Sequence, residues 1–134
     1  MKTILSGIQP TGKIHLGNYI GAITNWVKMQ DEFNCFYTIV DLHSITIRQE
    51  AAELRKNTLD LAAILIASGI DPEKSTLFVQ SHVKEHSLLT WVLMCNTLFG
   101  ELNRMTQFKE KAKQHPDNIN AGLFTYPVYV SSNW

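Results

Sequence analysis

The sequence predicts an α/β protein, a Rossmann-type open parallel sheet with flanking helices, and three observations carry that prediction. Short β-compatible runs alternate three times with runs of helical apolar spacing. Each return from helix to strand demands a crossover between parallel strands, which is right-handed almost without exception. Each strand run also ends abruptly in a polar cluster, at residues 6–18, 41–46 and 80–82. Ligands of such sheets bind at the carboxyl ends of the strands, which is where these clusters fall.

The elements follow in order. "KTILS", residues 2–6, reads as a short strand that stops at Gly7, and residues 7–14 carry Gly-x-x-Pro-x-Gly turn chemistry. Leu16, Ile20, Ile23 and Val27 recur every three to four residues and predict one helix face through about Phe33. "CFYTIV", residues 35–40, is a continuous apolar run of the kind buried on both faces of a sheet. Residues 51–68 carry Leu54, Thr58, Leu61 and Leu65 at helical spacing, with Gly69 where a helix C-terminal glycine belongs. "STLFVQ", residues 75–80, repeats the strand pattern, and Leu88, Val92, Cys95 and Phe99 repeat the helical one. That last face is compatible with core or with an interface, Trp91 lying beside it. "FKEKAKQHPDN", from Phe108, is an exposed loop or a short helix, and from Asn120 the chain becomes apolar again.

Composition bounds the function classes. The 134 residues leave room for one domain, and 45% hydrophobic content supplies a proper core. Twelve Lys and Arg balance twelve Asp and Glu, so no net basic charge draws nucleic acid by itself. Cys35 and Cys95 lie far apart inside apolar runs and read as buried, reduced thiols; neither a CxxC pair nor a Cys/His cluster suggests a protein metal site. No apolar run approaches a span of about 18 residues, and the N-terminus lacks a signal-type core. The expectation is a cytoplasmic, unprocessed protein with no membrane partner.

"GIQPTGKIHLGN", residues 7–18, admits two nucleotide readings. From Gly7 it nearly spells G-x-x-x-x-G-K-[ST], but the position whose hydroxyl holds magnesium is Ile14, and Pro10 removes one backbone donor from the cradle. A P-loop phosphotransferase is therefore disfavoured, and Gly12-Lys13 reads as a turn. His15, Gly17 and Asn18 instead stand at the start of the first predicted helix, where unpaired N–H groups and the dipole favour phosphate. Taken alone this signal is weak, since Asn18 also suits a cap and His15 an exposed surface.

Five ordered blocks, "SGIQPTGKIHLGNYIGA", "IVDLHSIT", "GIDPEKSTLFVQSHV", "GELNRMTQFKEK" and "NINAGLFTYPV", together resemble the N-terminal part of bacterial-type tryptophanyl-tRNA synthetases, class I enzymes. The resemblance covers about residues 1–128. It implies ATP-dependent activation of L-tryptophan to an adenylate and transfer to tRNA(Trp), with ATP arriving as its Mg2+ complex, and a homodimer. By match to the family's HIGH-type signature, Gln9, Pro10, Thr11, His15, Gly17 and Asn18 would contact ATP. His15, with Gln9 and Asn18, would stabilise charge building on the α-phosphate, and Lys111 would reach the leaving pyrophosphate. The resemblance puts tryptophan near Leu5, Gly7, Val40 and His43, with Asn133 at the position of an aspartate that accepts the indole N–H. Without the resemblance, Lys111 reads as one of a solvated charge run and His43 as a hydrogen-bonded structural histidine.

Departures from the family pattern are few along most of the chain: His15 where Thr is frequent, Leu5 for Phe, "DLHSIT" for "DQHAIT". Asn133 keeps a carbonyl acceptor but lacks the aspartate charge, and charge-assisted hydrogen bonds are roughly twice as strong as neutral ones. The resemblance further implies that residues 1–134 are a partial catalytic domain, with the second half of the Rossmann fold, the KMSKS-type loop and the anticodon-binding domain absent. On that expectation the chain alone is weakly active or inactive, and a non-catalytic nucleotide-binding or dimer-forming fragment is the alternative.

Overall fold

A computed structural model of the chain describes residues 2–12, 17 and 19–131. Lys13, Ile14, His15, Leu16, Asn18 and Asn133 therefore lie outside the described residues. The chain divides into two compact units, residues 1–44 with 49–80 and residues 45–48 with 81–134. Among the described residues no helix is long and apolar enough to cross a membrane.

The first unit is built on a parallel three-stranded sheet in the order β1 (Thr3–Ile8), β2 (Asn34–Ile39), β3 (Thr76–Val79). Between β1 and β2, a π turn over Tyr19–Ile23 runs into α1 (Thr24–Met29). The short α2 (Asp41–Ser44) follows β2, and α3 (Ala51–Ala67) makes the second crossover. The predicted strand–helix alternation and parallel sheet are both present.

Register divides the sheet into two faces. Directly paired residues of parallel strands point the same way, and successive residues alternate. Ile4 pairs with Cys35, Ile8 with Ile39, and Tyr37 with Leu77, so these side chains share one face. There they pack with Ile23 and Trp26 from the first crossover and Leu61, Leu65 and Ile70 from the second. Trp26 stacks on Tyr37 at 4.8 Å, and the Tyr37 hydroxyl donates to the Trp26 carbonyl at 2.8 Å. Burial, with a side-chain hydrogen bond to Cys35, pushes the Tyr37 phenol well above the ordinary tyrosine range.

Three local expectations need correction. β1 does not stop at Gly7: pairing continues through Gly7↔Thr38 and Ile8↔Ile39, because the missing side chain lets the strands approach. The first helix does not present Ile20, Ile23 and Val27 as one buried face through Phe33. Ile20 is 59% exposed, whereas Ile23, Trp26 and Gln30 are buried. The wider π turn shifts the phase of the face, and the helix ends at Met29, where Gln30 is recruited elsewhere. Its amide donates to the Gly69 carbonyl at 2.8 Å and accepts from the Asp71 N–H at 2.9 Å, fastening the first crossover to the loop before β3. Gly69 itself ends α3 as predicted, with φ +109°, a conformation that only glycine adopts cheaply.

The second unit is helical: α4 (Lys84–Asn96), α5 (Phe99–Leu102), α6 (Thr106–Gln114) and α7 (Ala121–Ser131). Leu102, Leu123, Pro127 and Val128 are buried, and Phe124 packs against Phe99 and Phe108 at 4.7 and 5.1 Å. The charged "FKEKAKQ" stretch is helical, its lysines lying in α6. The face Leu88, Val92, Cys95 and Phe99 is not core: the three hydrophobics are 67%, 50% and 74% exposed, and Cys95 is exposed as well. Only Thr90 of α4 is buried. Cys35, by contrast, is the buried thiol expected.

Candidate functional site

The sheet face opposite the core carries Leu5, Gly7, Phe36, Thr38 and Phe78, aligned by the pairs Leu5↔Phe36, Gly7↔Thr38 and Thr38↔Phe78. Val40, one step past β2, continues this face, its N–H donating to the Ile8 carbonyl at 3.0 Å. A Cβ on Gly7 would lie 2.9 Å from Val40 Cγ1 and 3.1 Å from Thr38 Cγ2. The glycine is thus demanded by close approach of two strands, and it leaves bare backbone between Leu5 and Val40.

Beyond the strand ends the chain places Gln9, half-buried, and Pro10, fully buried, then Thr11 and Gly12 in the open. Gly12 has φ +108°, a conformation that favours glycine. Gly17 is exposed. At the same edge, α2 presents His43, 6% exposed, with Nδ1 2.9 Å from Oε1 of the fully buried Gln80. The Thr38 and Ser44 hydroxyls are buried, with no hydrogen-bond partner among the described residues. An orphaned buried hydroxyl costs about 1–3 kcal/mol, and such groups gather where a ligand completes the set.

Leu5, Gly7, Val40 and His43 are therefore brought together, with Gln9, Pro10 and Thr11 at the same edge. His15, Asn18 and Asn133 lie outside the described residues. Lys111 belongs to the second unit. Its ammonium donates to Thr46 Oγ1 at 3.2 Å and lies 4.2 Å from the centroid of the Tyr126 ring, and burial lowers its pKa from the usual lysine value. Burial, followed by the Glu110 charge, raises Tyr126. The Asn120 side chain donates to the Thr46 carbonyl at 3.0 Å and accepts from the Leu123 N–H at 2.9 Å, tying this lysine seat to the start of α7. Lys111 is thus a held side chain and not one of a freely solvated run. Among the described residues no group of three or more His, Cys, Asp or Glu gathers as a metal site.

The family model for class I tRNA synthetases (W and Y) matches residues 1–132. The chain belongs to that family. It is 60% identical over 132 residues to tryptophan–tRNA ligase of Clostridium tetani, an overlap of 98% of the chain and 39% of the relative. Among solved structures it superposes with a TM-score of 0.91 on tryptophanyl-tRNA synthetase from Campylobacter jejuni complexed with ADP and tryptophan. That match is 38% identical and covers 99% of this chain and 41% of that one. The enzyme from Mycoplasma pneumoniae gives 0.89 at 44% identity, covering 99% and 39%. The chain spans about two fifths of the length of these relatives.

Gln80, Thr38, Ser44 and the Thr46–Tyr126 seat were not singled out by sequence reasoning as site residues. Gln80, Ser44 and Thr46 did stand in the polar clusters at strand ends, which is a usable signal; Thr38 sits inside an apolar run and gives none. Gly7→Ala should lower the unfolding free energy by about 1–3 kcal/mol, the usual cost of overpacking. Gly100→Ala, where an added Cβ meets nothing within 4 Å, should be neutral or stabilising by up to about 1 kcal/mol. Urea denaturation of the two variants checks both.

Proposed function

We propose that this chain supplies the substrate-activating portion of a tryptophan–tRNA ligase, which condenses L-tryptophan with ATP to tryptophanyl-adenylate and passes the acyl group to tRNA(Trp) in cytoplasmic protein synthesis. The observation that carries this is the gathering of Leu5, Gly7, Val40 and His43 on one sheet face at the strand ends, beside Gln9 and Pro10. An apolar cleft with a few fixed polar groups suits an indole better than a purely polar amino acid. Membership of the W and Y family and 60% identity to a tryptophan–tRNA ligase support the same substrate.

In this reading a tryptophan carboxylate oxygen attacks the α-phosphorus of Mg-ATP. A C–O–P bond forms, the bond from the α-phosphorus to the bridging oxygen breaks, and pyrophosphate leaves with its magnesium. Gln9, Pro10, Thr11, His15, Gly17 and Asn18 hold the nucleotide. His15, with Gln9 and Asn18, meets charge developing on the α-phosphate. Lys111 leaves its Thr46 seat for the pyrophosphate. Asn133 accepts the indole N–H more weakly than a carboxylate would. Tryptophan-dependent exchange of labelled pyrophosphate into ATP tests the proposal. Slow exchange above background is expected, falling about 10²- to 10³-fold in His15→Ala, the usual effect of removing one preorganised donor. Exchange at background with saturating protein overturns the activity.

The exposed face of α4 favours a second reading alongside the first, a homodimer. Leu88 and Val92 join Trp91, itself 63% exposed, in an apolar surface of the kind that marks an interface. Sedimentation velocity should show a concentration-dependent dimer that Trp91→Lys disperses. A strictly monomeric chain at all concentrations contradicts it.

A further inference from the structure

Lys111 projects from the last turn of α6 into a seat made by two other segments of the second unit. Its ammonium lies 3.2 Å from Thr46 Oγ1 and 4.2 Å from the centroid of the Tyr126 ring in α7. Thr46 is itself 8% exposed, and its carbonyl accepts from the Asn120 amide at 3.0 Å. The oxygen of that amide accepts from the Leu123 N–H at 2.9 Å, the bond of a cap at the start of α7. Asn120 therefore sets Thr46 against the helix that carries Tyr126. Phe108, one turn before Lys111 on the same side of α6, meets Phe124 edge-on at 5.1 Å. The three segments are thus fastened to one another, and what can move is the flexible lysine stem.

The seat is neutral. Among the described residues no carboxylate pairs with Lys111, so a hydroxyl and an aromatic face are what hold it. Such partners attract a cation far less than a phosphate anion does, while partial burial strips hydration from the ammonium. Burial accordingly lowers the Lys111 pKa from the usual lysine value. A carboxylate in the same place would instead form an ion pair that an incoming anion has to break. We propose that Thr46 and Tyr126 are positioning residues that keep Lys111 in a resting place among neutral partners, from which a polyphosphate anion draws it. The proposal rests on the activation reading above, in which Lys111 meets pyrophosphate, and adds that seat and phosphate compete for one ammonium. A ligand shifts such an equilibrium only by its differential affinity, so weakening the seat tightens polyphosphate binding. A merely structural role for the ring predicts the reverse.

Proton–carbon spectra of the lysine-labelled chain, with Lys111 assigned by its loss in Lys111→Met, read the seat. Calorimetry with magnesium pyrophosphate reads the competition. The Lys111 ε-methylene signal should be moved upfield by the Tyr126 ring and return to the ordinary lysine position at saturating pyrophosphate. Tyr126→Leu removes the ring face and should put that signal at the ordinary position without ligand. It should also lower the pyrophosphate Kd about fivefold, roughly 1 kcal/mol of cation–π attraction converted at about 1.4 kcal/mol per tenfold. Tyr126→Phe keeps the ring and should restore both readings. In the Lys111→Met background, Tyr126→Leu should leave the Kd unchanged. Thr46→Val keeps the side-chain shape without the acceptor and should lower the Kd about threefold; it decides the matter if Tyr126→Leu does not fold. A Lys111 signal unmoved by saturating pyrophosphate overturns the proposal, as does a Kd unchanged or raised when the seat is weakened, or the absence of pyrophosphate binding. So does a fivefold effect that persists in Lys111→Met. The two readings fail separately. Release of Lys111 by pyrophosphate without tryptophan-dependent exchange supports the seat and removes the activation reading, whereas exchange with an unmoved Lys111 does the opposite.

Discussion

The close parallel pairing of β1 with β2 is the constraint on which the first unit depends. Six consecutive register pairs, from Thr3↔Asn34 to Ile8↔Ile39, commit every second side chain to one face. A slip of β2 by one residue would send Cys35, Tyr37 and Ile39 outward and turn Phe36 and Thr38 toward the core. Burying each large core side chain contributes about 1.5–3 kcal/mol, so the core enforces the register strongly. Gly7 is what the register demands on the other side, since any Cβ would collide with Val40. The same pairing that builds the core therefore clears a space beside Leu5, Val40 and His43.

Fold class and element order were legible because they rest on local patterns. The alternation of β-branched runs with helical spacing survives without knowledge of tertiary contacts, and Gly69 marks a helix end by conformation alone. What was not legible depends on partners distant in sequence. Gly7 looks like a stop until its neighbour across the sheet is known. Ile20 looks like core until the π turn shifts the helix phase toward Trp26. Gln30 looks like a surface residue until its amide meets Gly69 and Asp71 across about 40 positions of chain. Cys95 sits in an apolar run, which on a helix says nothing about which side faces inward.

The candidate site divides in the same way. Gln9 and Pro10 are legible through the HIGH-type signature, and Gly7 and His43 only through the resemblance of the surrounding blocks. Their physical states are not. The burial of His43 against Gln80 joins residues 37 positions apart that are adjacent only through the β2–β3 register. Lys111 lies in a run of charges whose composition says "solvated". Its seat on Thr46 and over Tyr126 depends instead on Asn120 fastening two segments of the second unit. Residue types thus carry the chemistry, while register and long-range hydrogen bonds carry placement.

If one sheet face is core and the other receives the amino acid, methyl NMR with added L-tryptophan separates the two. The methyl signals of Leu5, Thr38 and Val40 should shift with the ring current of bound indole, while those of Ile4, Ile39 and Leu65 stay in place. Shifts confined to the core-face methyls, or none at saturating tryptophan, would contradict it.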